Sequence, residues 1–100
     1  MFIQKWTAKV APLQLNAFLA TLKELNALYR QYGRVEWGRV HHELYGGHVI
    51  YMEREFPTMA ALDADESHAQ AEDIRAVKKQ LLESIVPGTV ELSYYQTREV

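Results

Sequence analysis

The sequence predicts an α+β fold in which four antiparallel strands form one sheet and two helices cover one of its faces. Three patterns support this. Residues 2–10 alternate apolar and polar side chains, residues 15–32 carry apolar side chains at intervals of three and four, and Gly46-Gly47 separates two strand-like segments. Along the 100 residues these patterns give the order β-α-β-β-α-β, the ferredoxin-like split βαβ arrangement. Right-handed connections then make the first and third strands central neighbours.

The first helix is the clearest single element in the sequence. Pro12 has the backbone angle of a first helical residue, and Gly33 can adopt the left-handed conformation of a C-terminal cap. Between them an apolar stripe runs along about six helical turns. Its members are Leu15, Phe18, Leu19, Leu22, Leu25, Tyr29 and Tyr32. In the strand before it, Gln4 is the exception on an otherwise apolar face.

Residues 35–45 and 48–56 are predicted to form a hairpin. A two-residue loop would mix charged and apolar side chains on both faces of the sheet, whereas a three-residue loop with a bulge separates them, so we prefer the second register. The helix-facing side then carries Phe2, Trp6, Val40, Leu44, Ile50, Met52, Val90, Leu92 and Tyr94. The opposite side carries Lys5, Thr7, Trp37, Arg39, His41, Tyr45, Tyr51, Glu53, Ser93 and Tyr95.

The second half of the chain is predicted to hold one kinked helix and a last strand. Thr58 can cap a short helix that runs to about Glu66, and Ser67 offers a second N-cap, so a kink is expected at residues 65–67. Pro87-Gly88 closes the helix, and residues 89–97 resume the period of two.

Composition and charge exclude several classes of protein. Hydrophobic residues make up 48% and charged residues 24% of the chain, which is typical of a globular protein, and residues 1–100 are expected to form one domain. A net charge of -2 gives no basic surface for nucleic acid. Without cysteine there are no disulfides, thiolate nucleophiles or Cys-ligated metals. The alternating N-terminus is neither a signal peptide nor a membrane span, so a cytoplasmic protein with no membrane partner is expected.

His41 and Tyr51 are the predicted catalytic pair. The ordinary pKa of a histidine suits proton transfer, and Tyr51 on the neighbouring strand could donate a phenolic proton. A solvated histidine is an equally good interpretation of His41. A metal site is not expected, because His41 and His42 are adjacent on a strand and point to opposite faces.

The predicted ligand-binding residues surround this pair on the same side of the sheet. Trp37 could stack on a flat ligand, and Arg39 and Lys5 could hold a carboxylate or phenolate. Arg39 could instead pair with Glu53. The aromatic residues are also typical of a dimer interface. The complete ligand-binding set is Lys5, Trp37, Arg39, Tyr45 and Tyr95.

Three segments, together with the aromatic hairpin, resemble the dimeric α/β-barrel superfamily, which contains antibiotic-biosynthesis-monooxygenase-type, stress-responsive and NIPSNAP-type domains. They are "VAPLQLNAFLATLKEL", "EFPTMAALDADES" and "PGTVELSYYQT". The resemblance implies a homodimer paired sheet to sheet, with cavities that serve cofactor-independent oxidation of aromatic polyketides, cyclisation or haem degradation. The haem-degrading branch uses an Asn-Trp-His set. Trp37 and His41 have no strand asparagine beside them, so no cofactor is expected.

Two functions follow from these patterns. The first is an enzyme or binding protein for a small aromatic or polyketide-like molecule, with His41 and Tyr51 handling protons. The second is a noncatalytic assembly module whose open sheet face serves only to pair subunits. A ligand-sized cavity would favour the first.

Overall fold

The computed structural model describes residues 1–67 and 71–100. It contains seven elements, taken in chain order. They are β1 (Phe2–Lys9), α1 (Leu15–Gln31), β2 (His41–His42), β3 (Val49–Phe56), α2 (Met59–Glu66), α3 (Glu72–Leu82) and β4 (Glu91–Gln96). None of the described helices has the length and apolar character needed to cross a membrane.

The four strands form one antiparallel sheet in the order β2-β3-β1-β4. The predicted fold is confirmed, with the first and third strands at its centre. Trp6 in the middle of β1 pairs with Met52 of β3 and with Leu92 of β4. These three side chains therefore share the face of the sheet that the helices cover.

The core lies between this face and the helices α1 and α3. Alternate residues of the central strands, among them Trp6 and Ile50, are buried against Phe18 of α1 and Ile74 of α3. The Trp6 and Phe18 rings stack with centroids 5.7 Å apart. Helix α1 ends as expected, since Gly33 has φ +70° just after the last turn.

The second strand is much shorter than predicted. Residues 35–40 do not form a strand. In this segment the backbone N–H of Gly38 donates to the carbonyl oxygen of Glu53 on β3. Asn26 on α1 contacts this segment. Its side chain accepts from the Trp37 backbone N–H at 2.8 Å and donates to the Trp37 carbonyl at 3.1 Å. Because this side chain satisfies the backbone of Trp37, that residue does not need a strand partner.

In the hairpin, alternate residues face the same sides of the sheet as in the preferred register, but the loop is longer than predicted. His41 pairs with Tyr51, and Glu43 donates to the carbonyl of Val49, so residues 44–48 form a five-residue loop. His48 takes the left-handed conformation at φ 62° within this loop. Leu44 was predicted to face the helices, and this is wrong because the longer loop leaves it exposed.

The predicted kinked helix is two helices. The Thr58 hydroxyl caps α2 by accepting from the Ala61 N–H at 3.1 Å, as predicted. Ser67 is not the N-cap of the next helix, because it follows the last turn of α2 and its hydroxyl donates to the Ala64 carbonyl. The predicted kink at residues 65–67 thus coincides with the end of α2, and residues 68–70 lie outside the described residues.

Candidate functional site

A cavity of about 230 Å³ lies between the helix-facing side of the sheet and helix α3. We call it the helix-side cavity. Aromatic side chains from three parts of the chain line it, namely Trp6 of β1, Tyr29 of α1 and Trp37 of the irregular segment. Arg54, Glu66 and Lys78 supply its charged groups. Leu82, Val90 and Leu92, all of them exposed, also line it.

Arg54 is the centre of a buried polar network at one end of this cavity. It lies on the helix-facing side of β3 and is only 2% exposed. Its Nε and Nη2 donate to Oε1 of Gln4 at 2.9 and 2.7 Å. Its Nη1 donates to Oδ1 of Asp65 at 2.7 Å and to the Val35 carbonyl at 3.0 Å, and its Nη2 reaches Oε1 of Glu66 at 3.0 Å. A buried guanidinium is stable here because every donor has an acceptor.

Asp65 balances two buried arginines. Its Oδ1 accepts from Nε and Nη2 of Arg34 at 3.1 and 3.0 Å as well as from Arg54, and its Oδ2 accepts from the Val35 N–H at 2.7 Å. Burial alone would raise the pKa of this carboxyl. The hydrogen bond from Val35, the charge of Arg54 and the hydrogen bonds from both arginines outweigh burial and leave the Asp65 pKa below its usual value.

Aromatic rings complete the surroundings of the two guanidinium groups. The Cζ of Arg34 lies 4.0 Å from the centroid of the Tyr29 ring, and the Cζ of Arg54 lies 4.8 Å from that of Trp37. Both contacts are within the range of a cation–π attraction. The polar network and the aromatic wall of the cavity therefore hold each other in place.

On the opposite side of the sheet, the predicted catalytic pair is brought together. The rings of His41 and Tyr51 stack with centroids 4.6 Å apart, and the Nζ of Lys5 lies 4.4 Å from the Tyr51 centroid. We call this side the open face; it comprises Ile3, Lys5, Thr7, Lys9, His41, Val49, Tyr51, Glu53, Glu55, Glu91, Ser93 and Tyr95. His41 is exposed, and the role of the pair in proton transfer stays a prediction.

The remaining predicted ligand residues do not form one site. Arg39 shares a shallow surface depression with His41 and Glu53, and it makes no ion pair with Glu53 within 4.0 Å, both residues being described. Tyr95 lies on the open face, opposite Ile3 of β1. The strand position predicted for Tyr45 is wrong, because this residue lies in the hairpin loop and is 88% exposed.

The placement of Trp37 on the open face is also wrong. The side chain is 9% exposed and belongs to the hydrophobic core, where it lines the helix-side cavity. The prediction assumed one continuous strand through residues 35–45, in which positions 37, 39 and 41 share a face. Since residues 35–40 are irregular, that alternation does not reach Trp37.

Sequence reasoning missed the polar network, although a signal for it exists. Gln4 interrupts the apolar face of β1, and Arg54 interrupts the same face of β3 in the segment "VIYMEREF". The two residues are direct cross-strand partners, so both interruptions fall at one place in the sheet. Asp65 and Glu66, by contrast, come from a helix and could not be assigned to them from spacing alone. Within the described ranges no cluster of three or more histidine or acidic side chains could hold a metal ion.

The fold resembles that of several solved structures along its whole length. A NIPSNAP domain protein from Burkholderia xenovorans superposes with a TM-score of 0.78 at 10% identity, over 98% of this chain and 95% of that one. A protein from Agrobacterium tumefaciens gives a TM-score of 0.77 at 12% identity, over 98% and 94% of the two chains. An antibiotic biosynthesis monooxygenase gives 0.71 at 15% identity, over 99% and 100%. No protein-family profile matches the chain, and no curated protein matches it.

The fold and the comparisons define a ferredoxin-like α+β protein whose architecture is similar to that of solved antibiotic biosynthesis monooxygenase and NIPSNAP domain structures. The resemblance found in the sequence is thus confirmed for the architecture. At these identities it is the fold that is shared, and the chemistry has to come from the residues of the site.

Proposed function

We propose that this protein binds a small aromatic molecule in the helix-side cavity and holds or converts it without a cofactor. The observation that supports this is the cavity wall, in which the rings of Trp6, Tyr29 and Trp37 surround a space of about 230 Å³. An apolar cavity of about 150 Å³ can admit benzene, so this one suits a ring with substituents or a small fused pair. Flat apolar walls with a few fixed polar groups are typical of ligand sites.

Titration with 2-naphthol, which is uncharged at neutral pH, should shift the indole N–H signals of Trp6 and Trp37 in a saturable way. Both of the chain's tryptophans line the cavity, so proton–nitrogen correlation spectra report on it directly. The variant Val90→Phe adds bulk at an exposed lining position and should weaken binding about tenfold, a loss of roughly 1.4 kcal/mol.

The matched control is Leu19→Phe, which makes a similar enlargement on the exposed side of α1, away from the cavity. It should leave the affinity unchanged. Two results would refute the proposal: indole signals that neither 2-naphthol nor a single-ring aromatic probe moves, or equal binding by the Val90 and Leu19 variants.

We further propose that the open face pairs two subunits. A sheet face with the stacked His41–Tyr51 pair and the exposed ring of Tyr95 has the Tyr-rich, mixed character of an interface. A chain of 100 residues also gains burial from association. In such a dimer the His41–Tyr51 pair would be enclosed between two sheets, which is the setting that proton transfer by this pair would need.

Light scattering should give the mass of a dimer at micromolar concentration. The variant Tyr51→Glu places a carboxylate at the centre of the open face and should be monomeric, because burying this carboxylate between two sheets removes its hydration, which is costly even beside Lys5. Tyr45→Glu makes the same change in the exposed hairpin loop and should remain dimeric. A wild-type monomer, or a dimeric Tyr51→Glu variant, would contradict the pairing.

The alternative function is a noncatalytic assembly module. The probe titration and the light-scattering experiment together distinguish it from a ligand-binding protein. A dimer that fails to bind any aromatic probe would favour a chain whose function is assembly alone. If binding occurs and turnover of a substrate survives both His41→Ala and Tyr51→Phe, the catalytic role of this pair is excluded.

A further inference from the structure

We infer that the helix-side cavity selects an aromatic anion that also carries a hydroxyl group, with Lys78 pairing with the negative charge and Glu66 accepting the hydroxyl hydrogen. This inference rests on the proposed function, since it names the class of molecule that the same cavity takes. Among the polar side chains that line the cavity, Lys78 and one oxygen of Glu66 are not used by the internal network.

Arg54 is not available to a ligand. A guanidinium has five N–H donors. In Arg54 two of them bond to Gln4, and one each bonds to Val35, Asp65 and Glu66, so all five are used. Gln4 is equally occupied. Its Nε2 donates to Glu66 at 3.1 Å and to the Tyr94 hydroxyl at 3.1 Å, while its Oε1 receives Arg54 twice. A ligand could recruit either residue only by breaking a buried hydrogen bond, which is unfavourable.

Glu66 has one oxygen engaged and one remaining. Its Oε1 accepts from Gln4 and Arg54, which fixes the orientation of the carboxylate. The nearest cationic contact of Oε2 is Nη2 of Arg34 at 4.0 Å, beyond hydrogen-bond range. The side chain is 36% exposed and lines the cavity. Oε2 is therefore the oxygen of this carboxylate that is left to accept from a donor such as a phenolic hydroxyl.

Lys78 supplies the cation that the network does not use. It lies half-buried on α3, lines the cavity, and holds its Nζ 5.8 Å from the centroid of the Tyr29 ring. No carboxylate in residues 1–67 and 71–100 comes within 4.0 Å of this Nζ. Arg34 and Arg54 carry two positive charges, and Asp65 and Glu66 carry two negative charges, so the network is neutral. Lys78 adds one positive charge beside the aromatic wall, which favours an anionic ligand over a neutral or cationic one.

Three single-ring probes test this selection: 4-hydroxybenzoate, its uncharged analogue 4-hydroxybenzamide, and benzoate, which lacks the hydroxyl. In wild-type protein, followed by the indole signals, 4-hydroxybenzoate should bind about tenfold more tightly than either of the others. Lys78→Met should abolish the advantage of the acid over the amide. Lys79→Met removes the same charge from the exposed neighbour on α3 and should keep the advantage. Glu66→Gln should remove the advantage that the hydroxyl gives over benzoate.

The outcomes distinguish this inference from the function on which it depends. If 2-naphthol binds but the acid and the amide bind equally, or if the preference survives Lys78→Met, the ligand class is wrong and the cavity still stands as a binding site. If neither 2-naphthol nor any of the three probes shifts the indole signals, the proposed function itself is overturned.

Discussion

Replacing Asp65 with asparagine should lower the free energy of unfolding by about 3–5 kcal/mol, because the change removes the carboxylate that both buried arginines share and leaves Glu66 as the remaining negative charge of the network. Asp65 is 8% exposed and accepts three hydrogen bonds from Arg34 and Arg54. For a chain of 100 residues this is a large part of a total stability of about 5–15 kcal/mol. Urea denaturation followed by circular dichroism measures it. Asp63→Asn, an exposed position on the same helix, should change the value by less than about 0.5 kcal/mol.

The decrease in the free energy of unfolding caused by Asp65→Asn should depend on pH, because the carboxylate of Asp65 titrates. The folded-state pKa of Asp65 lies below its usual value, so its contribution is fully present above the unfolded pKa of about 4 and is lost as the pH falls through the folded pKa. The difference in stability between wild type and Asp65→Asn should therefore narrow in acid. A difference that stays constant from neutral pH down to about pH 2 would show that the charge of Asp65 is not what stabilises the network.

Trp37→Ala should lower the free energy of unfolding by about 3–5 kcal/mol, the range expected for truncating a large core side chain. The ring is buried between α1 and the sheet, in contact with the core and with Arg54. Tyr45→Ala in the hairpin loop is the matched control and should have an effect of less than about 0.5 kcal/mol. Equal effects of the two variants would mean that Trp37 lies on the surface after all.

The architecture was readable from the sequence because each main element carries its own local pattern. The stripe from Phe18 to Tyr29 defined α1, the alternation around Trp6 defined β1, and the order of elements determined which strands are central. Thr58 as the cap of α2 was readable for the same reason, since a cap contacts a backbone group only three residues away.

The site was much less readable, because its residues meet only in three dimensions. The contact between Asn26 and the Trp37 backbone spans 11 residues and has no period, yet it satisfies the backbone of the tryptophan in place of a strand partner. Arg54 and Asp65 look like surface residues until the register of β3 and the position of α2 are both known. The placement of His41 and Tyr51 on one face was accessible because it depends on hairpin parity alone.

Helix α2 is attached to the rest of the protein in an unusual way. It buries only Leu62 and Asp65, so it is held to the sheet more by electrostatic contacts than by hydrophobic area. A segment attached in this manner can detach locally while the core remains folded. Because Glu66 at its end borders the helix-side cavity, each detachment would also uncover one end of that cavity. Small molecules could then reach the cavity from this end as well as past the exposed side chains of Leu82, Val90 and Leu92.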